Sequence, residues 1–190
     1  MSAAQPGPDG VLRCPWALSA PDYLGYHDDE WGAPLHGDDA IFERLVLEAF
    51  QSGLSWLIIL RKRPAFRTAF RGFAMAEVAR FGEADVERLL LDAGIVRNRS
   101  KIEAAIVNAR VALTIPGGLA DHLWSFAPAV PRPAPVTLAE VPAVTLESTA
   151  LAKDLKKRGI KFVGPTTAHA LMQATGMVDD HLVDCVARRG

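Results

Sequence analysis

The sequence lacks the features that mark secreted mini-proteins and membrane proteins. It has only two cysteines in 190 residues, one near each end, so a disulfide framework is excluded. No apolar run approaches the roughly 20 residues of a membrane-spanning helix, since the best candidate covers only 54–60. The first ten residues have neither a basic nor an apolar stretch of the kind that directs secretion. These absences predict a soluble protein of the cytoplasm.

A strong net charge is also missing. The formal net charge is −1 and the isoelectric point is near 6.5, whereas a domain that binds nucleic acid through bulk charge has a value above about 9. Acidic residues dominate the first half of the chain and basic residues the second. Any nucleic-acid surface must therefore be local, and each basic run is equally explained as a solvated helix face.

No stretch alternates between apolar and polar residues for long enough to predict a sheet, and the apolar spacing is helical throughout. The predicted fold class is all-α. Helices are expected near 38–51, 54–60, 64–71, 74–81, 83–91, 98–113, 118–126, 148–158, 166–175 and 179–187, the first of them capped by Asp38 or Asp39. The five prolines of 127–142 predict an extended connection.

The predicted organisation is one helical domain over 11–190 preceded by a disordered extension over 1–10. The extension is polar and rich in proline and glycine, a composition that cannot bury enough apolar surface to fold by itself.

Two Cys/His pairs could bind a metal ion. His181 and Cys185 are four residues apart, so on a helix both side chains face the same side, and Cys14 and His27 form a second pair. Four such ligands would complete a tetrahedral zinc site with no open position, which is typical of a structural metal. The alternative is that both cysteines are buried thiols and the histidines are ordinary.

The segment from Leu89 to Arg99 predicts two helices joined by a short apolar turn. Such a hairpin presents turn amides and the positive end of its second helix to a phosphate, and Arg97, Arg99 and Lys101 could add charge. The alternative is a plain corner between two helices.

Aromatic residues and one carboxylate are concentrated early in the chain. They are Trp16, Tyr23, Tyr26, Trp31, Trp56 and Glu48. An aromatic pocket holding one carboxylate suits a flat, electron-poor or cationic heterocycle. The alternative is an aromatic core with Glu48 at the surface.

Nine short motifs follow one another between about residue 12 and residue 186. They are Cys14-Pro-Trp16, Tyr26-His-Asp-Asp-Glu-Trp-Gly32, Leu47-Glu48, Gln51-Ser-Gly-Leu-Ser-Trp56, Asp92-Ala-Gly-Ile-Val-Arg97, Leu155-Lys-Lys-Arg-Gly159, Lys161-Phe-Val-Gly164, Met172-Gln-Ala174 and Val178-Asp-Asp-His181. In this order they resemble the motifs of the 3-methyladenine DNA glycosylase I family.

The resemblance implies an all-helical member of the helix–hairpin–helix glycosylase superfamily, with the hairpin at about 89–102. It also implies one structural zinc ion per chain, held in a lobe formed by 11–36 and 148–187. The zinc ligands carried over from the family are Cys14, His27, His181 and Cys185.

The resemblance further assigns the alkylated-base pocket to Glu48, the catalytic candidate, with Tyr26 and Trp56, and less directly to Tyr23 and Trp16. DNA contacts are expected from two segments: Gln51, Ser52, Gly53 and Leu54, which approach the gap left by the extruded base, and Gly94, Ile95, Val96 and Arg97 of the hairpin. His169 stands where the family tends to have an aromatic residue, and Asp179 replaces its usual asparagine.

The implied function is hydrolytic release of 3-methyladenine from alkylated double-stranded DNA by a monomer that leaves an abasic site. Two other functions remain open at this point. A DNA-binding module without catalysis would use the hairpin alone, and a zinc hydrolase would need an open position on the metal.

Overall fold

The computed structural model describes residues 3–189, which fold into a helical domain. The helices are α1 (Pro21–Gly25), α2 (Asp38–Gln51), α3 (Trp56–Ala69), α4 (Met75–Val78), α5 (Glu83–Leu91), α6 (Arg99–Ala112), α7 (Leu119–Trp124), α8 (Leu146–Arg158) and α9 (Pro165–Ala174). Three short 3-10 turns (Pro15–Leu18, Arg71–Phe73 and Leu138–Glu140) and one π-helical turn (Tyr26–Glu30) complete the helical structure. The predicted all-α class is confirmed.

Helix α2 lies in the middle of the large hydrophobic core. It packs against α3, α6, α7 and α9, and all its residues from 44 to 50 are buried. Phe66 and Phe70 pack edge-on against Phe50 of α2, and the Phe70 ring stacks on Phe73 with the ring centres 5.5 Å apart. Because charged side chains are rarely buried without a role or a partner, Arg44 and Glu48 in the middle of α2 point to a site.

The two aspartates predicted to cap α2 cap other helices instead. Gly37 precedes α2, while Asp38 accepts a hydrogen bond from the amide of Ala120 in α7 and Asp39 accepts one from the amide of Met75 in α4. The free amides at a helix start donate to whichever carboxylate the packing brings near. The two carboxylates therefore join three helices.

Helix α3 corrects the prediction of two separate helices over 54–60 and 64–71. It runs without interruption from Trp56 to Ala69 although Pro64 lies inside it. Proline removes one backbone hydrogen bond, but Ile59, Phe66 and Ala69 are buried on both sides of it. Burial of this continuous face outweighs the single lost bond.

The connection 127–142 contains no helix apart from the 3-10 turn at Leu138–Glu140, and its backbone is irregular with several bends. No helix among residues 3–189 is both long and apolar enough to cross a membrane.

The expected disorder of 1–10 is wrong for its described part. Strand β1 (Gln5–Pro6) pairs antiparallel with β2 (Leu12–Arg13). The guanidinium of Arg13 then bonds both Asp9 and Asp28, at 2.8 Å each. These charge-assisted bonds hold a polar segment that has no core of its own. Residues 1 and 2 lie outside the described residues.

The predicted helix over 179–187 is also wrong, because this segment forms successive turns. The amide of Val183 donates to Pro135 and the amide of Val186 donates to Leu12. These amides thus bond to carbonyls elsewhere in the chain, where a helix would bond them to carbonyls four residues earlier.

A small second cluster joins the two ends of the chain. Its buried members are Cys14, Leu182, Cys185 and Ala187. The predicted terminal lobe is smaller than expected on its C-terminal side, because Leu151 and Leu155 of α8 and Leu171 of α9 belong to the large core.

Candidate active site

A cavity of about 270 Å³ opens between the N-terminal segment, α2, the start of α3 and α9. It is lined by Trp16, Ser19, Tyr23, Tyr26, Trp31, Glu48, Gln51, Trp56, Ala170 and Gln173. The five residues predicted for the base pocket are therefore together. Ser19, Ala170 and Gln173 were missed, and only the motif around Gln173 gave a signal.

The aromatic rings of the cavity pack against one another. Trp16 meets Tyr23 edge-on at 5.5 Å and Trp31 edge-on at 5.1 Å, and Tyr26 lies 5.4 Å from Trp56. Such contacts stabilise the rings beyond the area they bury. The wall is thus held in shape before any ligand binds.

The π-helical turn gives adjacent residues two different environments. The amide of Trp31 donates to the carbonyl of Tyr26, five residues earlier, at 2.8 Å. Tyr26 lines the cavity and its burial raises the pKa of the phenol, whereas His27 contacts Cys185 in the terminal cluster. π-Helical turns are frequent at functional sites because they re-aim side chains in this way.

Glu48 is a buried acid in the cavity wall with only 4% of its surface exposed. Burial raises the pKa of its carboxyl to about 8, and the positive charge of Arg44 opposes that rise. No hydrogen bond to the carboxyl of Glu48 is found within the part of the chain that the structure describes. A buried carboxylate without a partner is costly, which makes it a strong attractor for a cationic donor.

Because Glu48 is costly in its charged form, Glu48→Gln is expected to stabilise the fold by about 4 kcal/mol at pH 8 and hardly at all at pH 4. The pKa rises from 4.5 in the unfolded chain to about 8 in the folded protein. The folded state therefore holds more protons in this window, and wild-type stability falls as the pH rises through it. Urea unfolding of both proteins across this pH range measures the difference, and a pH-independent difference would contradict this account.

The loop after α2 is a tight, exposed turn beside the cavity. Leu54 donates its amide to the carbonyl of Gln51 at 2.7 Å, and Gly53 has φ +80°, a backbone conformation that favours glycine. Leu54 is 38% exposed. The ammonium of Lys101 holds the loop by donating to the carbonyls of Phe50 and Ser52. An apolar side chain is thus held beside the cavity on a firm support.

The turn between α5 and α6 is held from α3. Lys62 donates to the carbonyls of Ala93 and Gly94. The amide of Gly94 donates to the side chain of Asp92 at 2.7 Å, and the amide of Ile95 donates to its carbonyl. Two of the predicted phosphate-binding amides are therefore already bonded. The amides of Val96 and Arg97 have no partner among residues 3–189.

The basic residues near this turn differ in availability. Lys101 is 8% exposed and bonded to α2. Arg99 pairs with Glu83, Glu87 and Glu103. Arg97 is exposed and makes no ion pair with any described residue. Of the three cations predicted near the hairpin, Arg97 is free to bind a phosphate.

The four predicted metal ligands come from both ends of the chain. Ligand atoms of Cys14, His27 and Cys185 lie within 4.8 Å of one another, and all three residues are buried. The His181 ring is centred 5.0 Å from that of His27. Its Nε2 atom is buried and has no partner among the described residues. The thiol of Cys14 and the Nε2 atom of His27 both lie against Cys185, and their hydrogen bonds lower the pKa of the Cys185 thiol.

Each histidine of this cluster is oriented by an aspartate. Nδ1 of His27 lies 2.7 Å from Asp28, and Nδ1 of His181 lies 2.8 Å from Asp179. A carboxylate on one ring nitrogen is the usual arrangement around metal-binding histidines. His27 turns its other nitrogen to Cys185, whereas His181 is not among the residues whose ligand atoms lie within 4.8 Å of one another. The departure at Asp179 therefore preserves an oxygen acceptor for His181.

His169, which differs from the aromatic residue usual in the family, lies behind the cavity wall. His169 is 1% exposed, and its Nε2 atom lies 3.1 Å from the carboxylate of Asp180. Asp180 also accepts from Arg132 and from the amide of Gln173, both at 2.9 Å. This network holds Gln173 at the cavity.

Known proteins match this chain over nearly its whole length. The family model described as Methyladenine glycosylase matches residues 16–189. Among curated proteins, DNA-3-methyladenine glycosylase 1 of Escherichia coli (strain K12) is 46% identical over 182 residues, which covers 94% of this chain and 97% of that protein.

Solved structures are similar over the whole fold. A crystal structure of 3-methyladenine DNA glycosylase I has a TM-score of 0.89 at 44% identity and covers 93% of this chain and 100% of its own. A second structure, described as the structural basis of 3-methyladenine recognition by the Staphylococcus aureus protein, has a TM-score of 0.89 at 37% identity and covers 94% of this chain and 97% of its own.

Proposed function

The chain belongs to the methyladenine glycosylase family, as its motifs predict, and on this premise we propose that it removes 3-methyladenine from alkylated DNA. The damaged nucleotide leaves the base stack of a duplex and enters the aromatic cavity. Water then replaces the base at the sugar carbon, and the product DNA carries an abasic site.

The observation that carries this proposal is the unpartnered carboxyl of Glu48 in a wall of aromatic rings. A base methylated at N3 is positively charged while it is attached to the sugar, and its exocyclic amine is a hydrogen-bond donor. The base therefore offers the Glu48 carboxyl a positive charge and a hydrogen-bond donor, and no described residue of the protein supplies such a donor to it. The positively charged base also contacts the faces of Tyr26 and Trp56 favourably.

The same charge explains why the site needs little acid catalysis. As the glycosidic bond breaks, the cationic base departs as a neutral molecule and the sugar becomes oxocarbenium-like. The protein has to extrude the nucleotide, select the base and stabilise the positive sugar while water attacks. Glu48 acts chiefly in base selection, and its negative charge also favours the developing positive charge on the sugar.

The proposed reaction is tested by incubating the protein with methylated duplex DNA and identifying the bases released. We expect 3-methyladenine as the main product, together with abasic sites that alkali cleaves. Binding of methylated duplex DNA without release of any base would favour a DNA-binding module instead.

We further propose that α5, the turn 92–98 and α6 act as a helix–hairpin–helix that holds one DNA phosphate. Support comes from the free amides of Val96 and Arg97, the start of α6 at Arg99 and the exposed guanidinium of Arg97. Gln51, Ser52, Gly53 and Leu54 are proposed to occupy the space that the extruded base leaves.

Arg97→Gln is expected to weaken binding of duplex DNA about fivefold at physiological salt and to reduce the slope of log K against log salt by about 1. The reason is the loss of one phosphate contact. Arg99→Gln is the matched control, since its guanidinium is already engaged by three glutamates. Fluorescence anisotropy over a salt series gives both quantities, and an Arg97→Gln variant with unchanged affinity and salt slope would assign the hairpin to packing alone.

We also propose that Cys14, His27, His181 and Cys185 hold one zinc ion. Two thiols and two imidazoles are a donor set typical of structural zinc, and the partnerless Nε2 atom of His181 fits a metal ligand. Four protein ligands leave no position for a reacting water, so the ion would stabilise the fold. This argues against a zinc hydrolase.

The predictions of a monomer and of a cytoplasmic location complete the proposal. Size-exclusion chromatography coupled to light scattering tests the first of them.

A further inference from the structure

Arg44 is a buried cation that the base pocket does not directly use. It lies in α2 four residues before Glu48, hence on the same helix face, and it is 7% exposed. Its guanidinium carbon lies 5.5 Å from the centre of the Tyr26 ring, and Tyr26 lines the cavity while Arg44 does not. One of its nitrogens, Nη1, is buried without a partner among the described residues.

The charges around Arg44 do not balance without Glu48. Arg44 donates to Glu30 at 2.5 Å, and Arg63 of α3 donates to the same carboxylate at 2.6 and 2.7 Å. Although burial opposes it, these two guanidinium groups lower the pKa of Glu30 to about 2. Two cations therefore share one carboxylate, and one positive charge remains.

The surplus charge is available to Glu48 because other nearby groups are engaged. Glu30, Arg63 and Tyr26 lie close enough to Arg44 or Glu48 to act on them electrostatically. Glu43 acts on Arg63 but is itself paired with Arg67. Lys101 is bonded to backbone carbonyls at the end of α2, and His169 is paired with Asp180. Arg44 is the group that counteracts the effect of burial on the pKa of Glu48.

From this arrangement we infer that Arg44 is a positioning residue that favours the ionised form of Glu48 and thereby sets the lower pH limit of cationic-base recognition. The inference rests on the proposed function for the role of Glu48 toward the base. Arg44 is not among the residues that line the cavity, so it has no place of contact with the base. It acts through the charge state of the carboxyl that does.

The first test is direct titration of Glu48 by carbon-13 NMR of the side-chain carboxyls, with Glu48→Gln used to assign the signal. Arg44→Met keeps an unbranched buried side chain and removes the charge. It should raise the midpoint of the Glu48 titration by about one pH unit, and Arg44→Lys should restore most of the wild-type value. Arg67→Met is the matched control, because Arg67 pairs with Glu43 on the exposed side of α2, and it should leave the midpoint unchanged.

A second variant should shift the midpoint of the Glu48 titration in the opposite direction. Glu30→Gln removes the carboxylate that competes for Arg44 and should lower the Glu48 midpoint. A residue with a merely structural role would not move the midpoint in both directions. This variant also keeps the test decisive if Arg44→Met does not fold.

The second readout is the pH dependence of kcat/KM for base release from methylated duplex DNA. Its acidic limb should move to higher pH in Arg44→Met by the same amount as the NMR midpoint. A Glu48 midpoint that is the same in wild type, Arg44→Met and Glu30→Gln overturns the inference. If the wild type releases no base while the NMR midpoints still shift as expected, the proposed function fails and the electrostatic role of Arg44 stands.

Discussion

Cys185→Ser is expected to lower the melting temperature by roughly 8–16 °C, a loss of about 4 kcal/mol for a chain of this length. The proposed ion joins segments that are 158 residues apart in sequence, since His27 and Cys185 face each other. The small cluster around them contains few other buried apolar side chains. Without the metal, little hydrophobic contact remains to hold the ends together.

Chelation provides the matched control for this substitution. Removing the metal from the wild type should lower its melting temperature to that of Cys185→Ser, and the same chelator should not affect the variant further. Elemental analysis should give about one zinc per wild-type chain. A metal-free wild type with an unchanged melting temperature would contradict the zinc proposal.

The proposed metal site also bears on the base pocket. His27 belongs to the cluster at the chain ends, and its neighbour Tyr26 lines the cavity within the same π-helical turn. The Trp31 ring meets His181 edge-on at 4.6 Å. Loss of the ion should therefore weaken base binding as well, because these rings lose their support.

Trp56→Ala is expected to weaken binding of free 3-methyladenine by a factor of about ten to one hundred and to slow its release from DNA. Stacking of one base on an aromatic ring contributes about 1–3 kcal/mol, and Trp56 supplies one wall of the cavity. Trp56→Phe keeps a ring and should recover part of both losses. Calorimetric titration with the free base and timed release from methylated DNA measure the two effects.

Glu48→Gln separates the charge of Glu48 from the shape of its side chain. It keeps one acceptor oxygen and removes the negative charge, so it should lose affinity for 3-methyladenine and still show measurable excision. An obligatory general base or nucleophile would give a different result. If the variant binds the base as well as the wild type but releases none, Glu48 is the essential chemical group and the selection role is wrong.

The helical class was determined by local sequence. Helix α5 matches its predicted bounds, and α6 lies within one residue of them at each end. Apolar spacing reports which face of a segment is buried, and that is a property of consecutive residues. The motifs that place the chain in its family, and with them the five predicted pocket residues, were likewise present in the sequence alone.

Local sequence was not sufficient where backbone groups find partners far away. The segment 179–187 has helical spacing, but amides at Val183 and Val186 donate to Pro135 and Leu12. Pro64 predicted a break, but the core buries α3 on both sides of it. In each case distant contacts outweighed a local preference.

The state of the charged groups was decided by the tertiary structure. Sequence placed Arg97, Arg99 and Lys101 together as one basic cluster, but the fold pairs Arg99 with glutamates, buries Lys101 under α2 and leaves Arg97 free. It likewise brings Arg44 and Arg63 to a single carboxylate beside Glu48. The sequence by itself determined the helices, the family and the kinds of side chain at the site. Which charges are free, buried or paired depends on desolvation and on partners from distant segments, and only the folded chain brings those together.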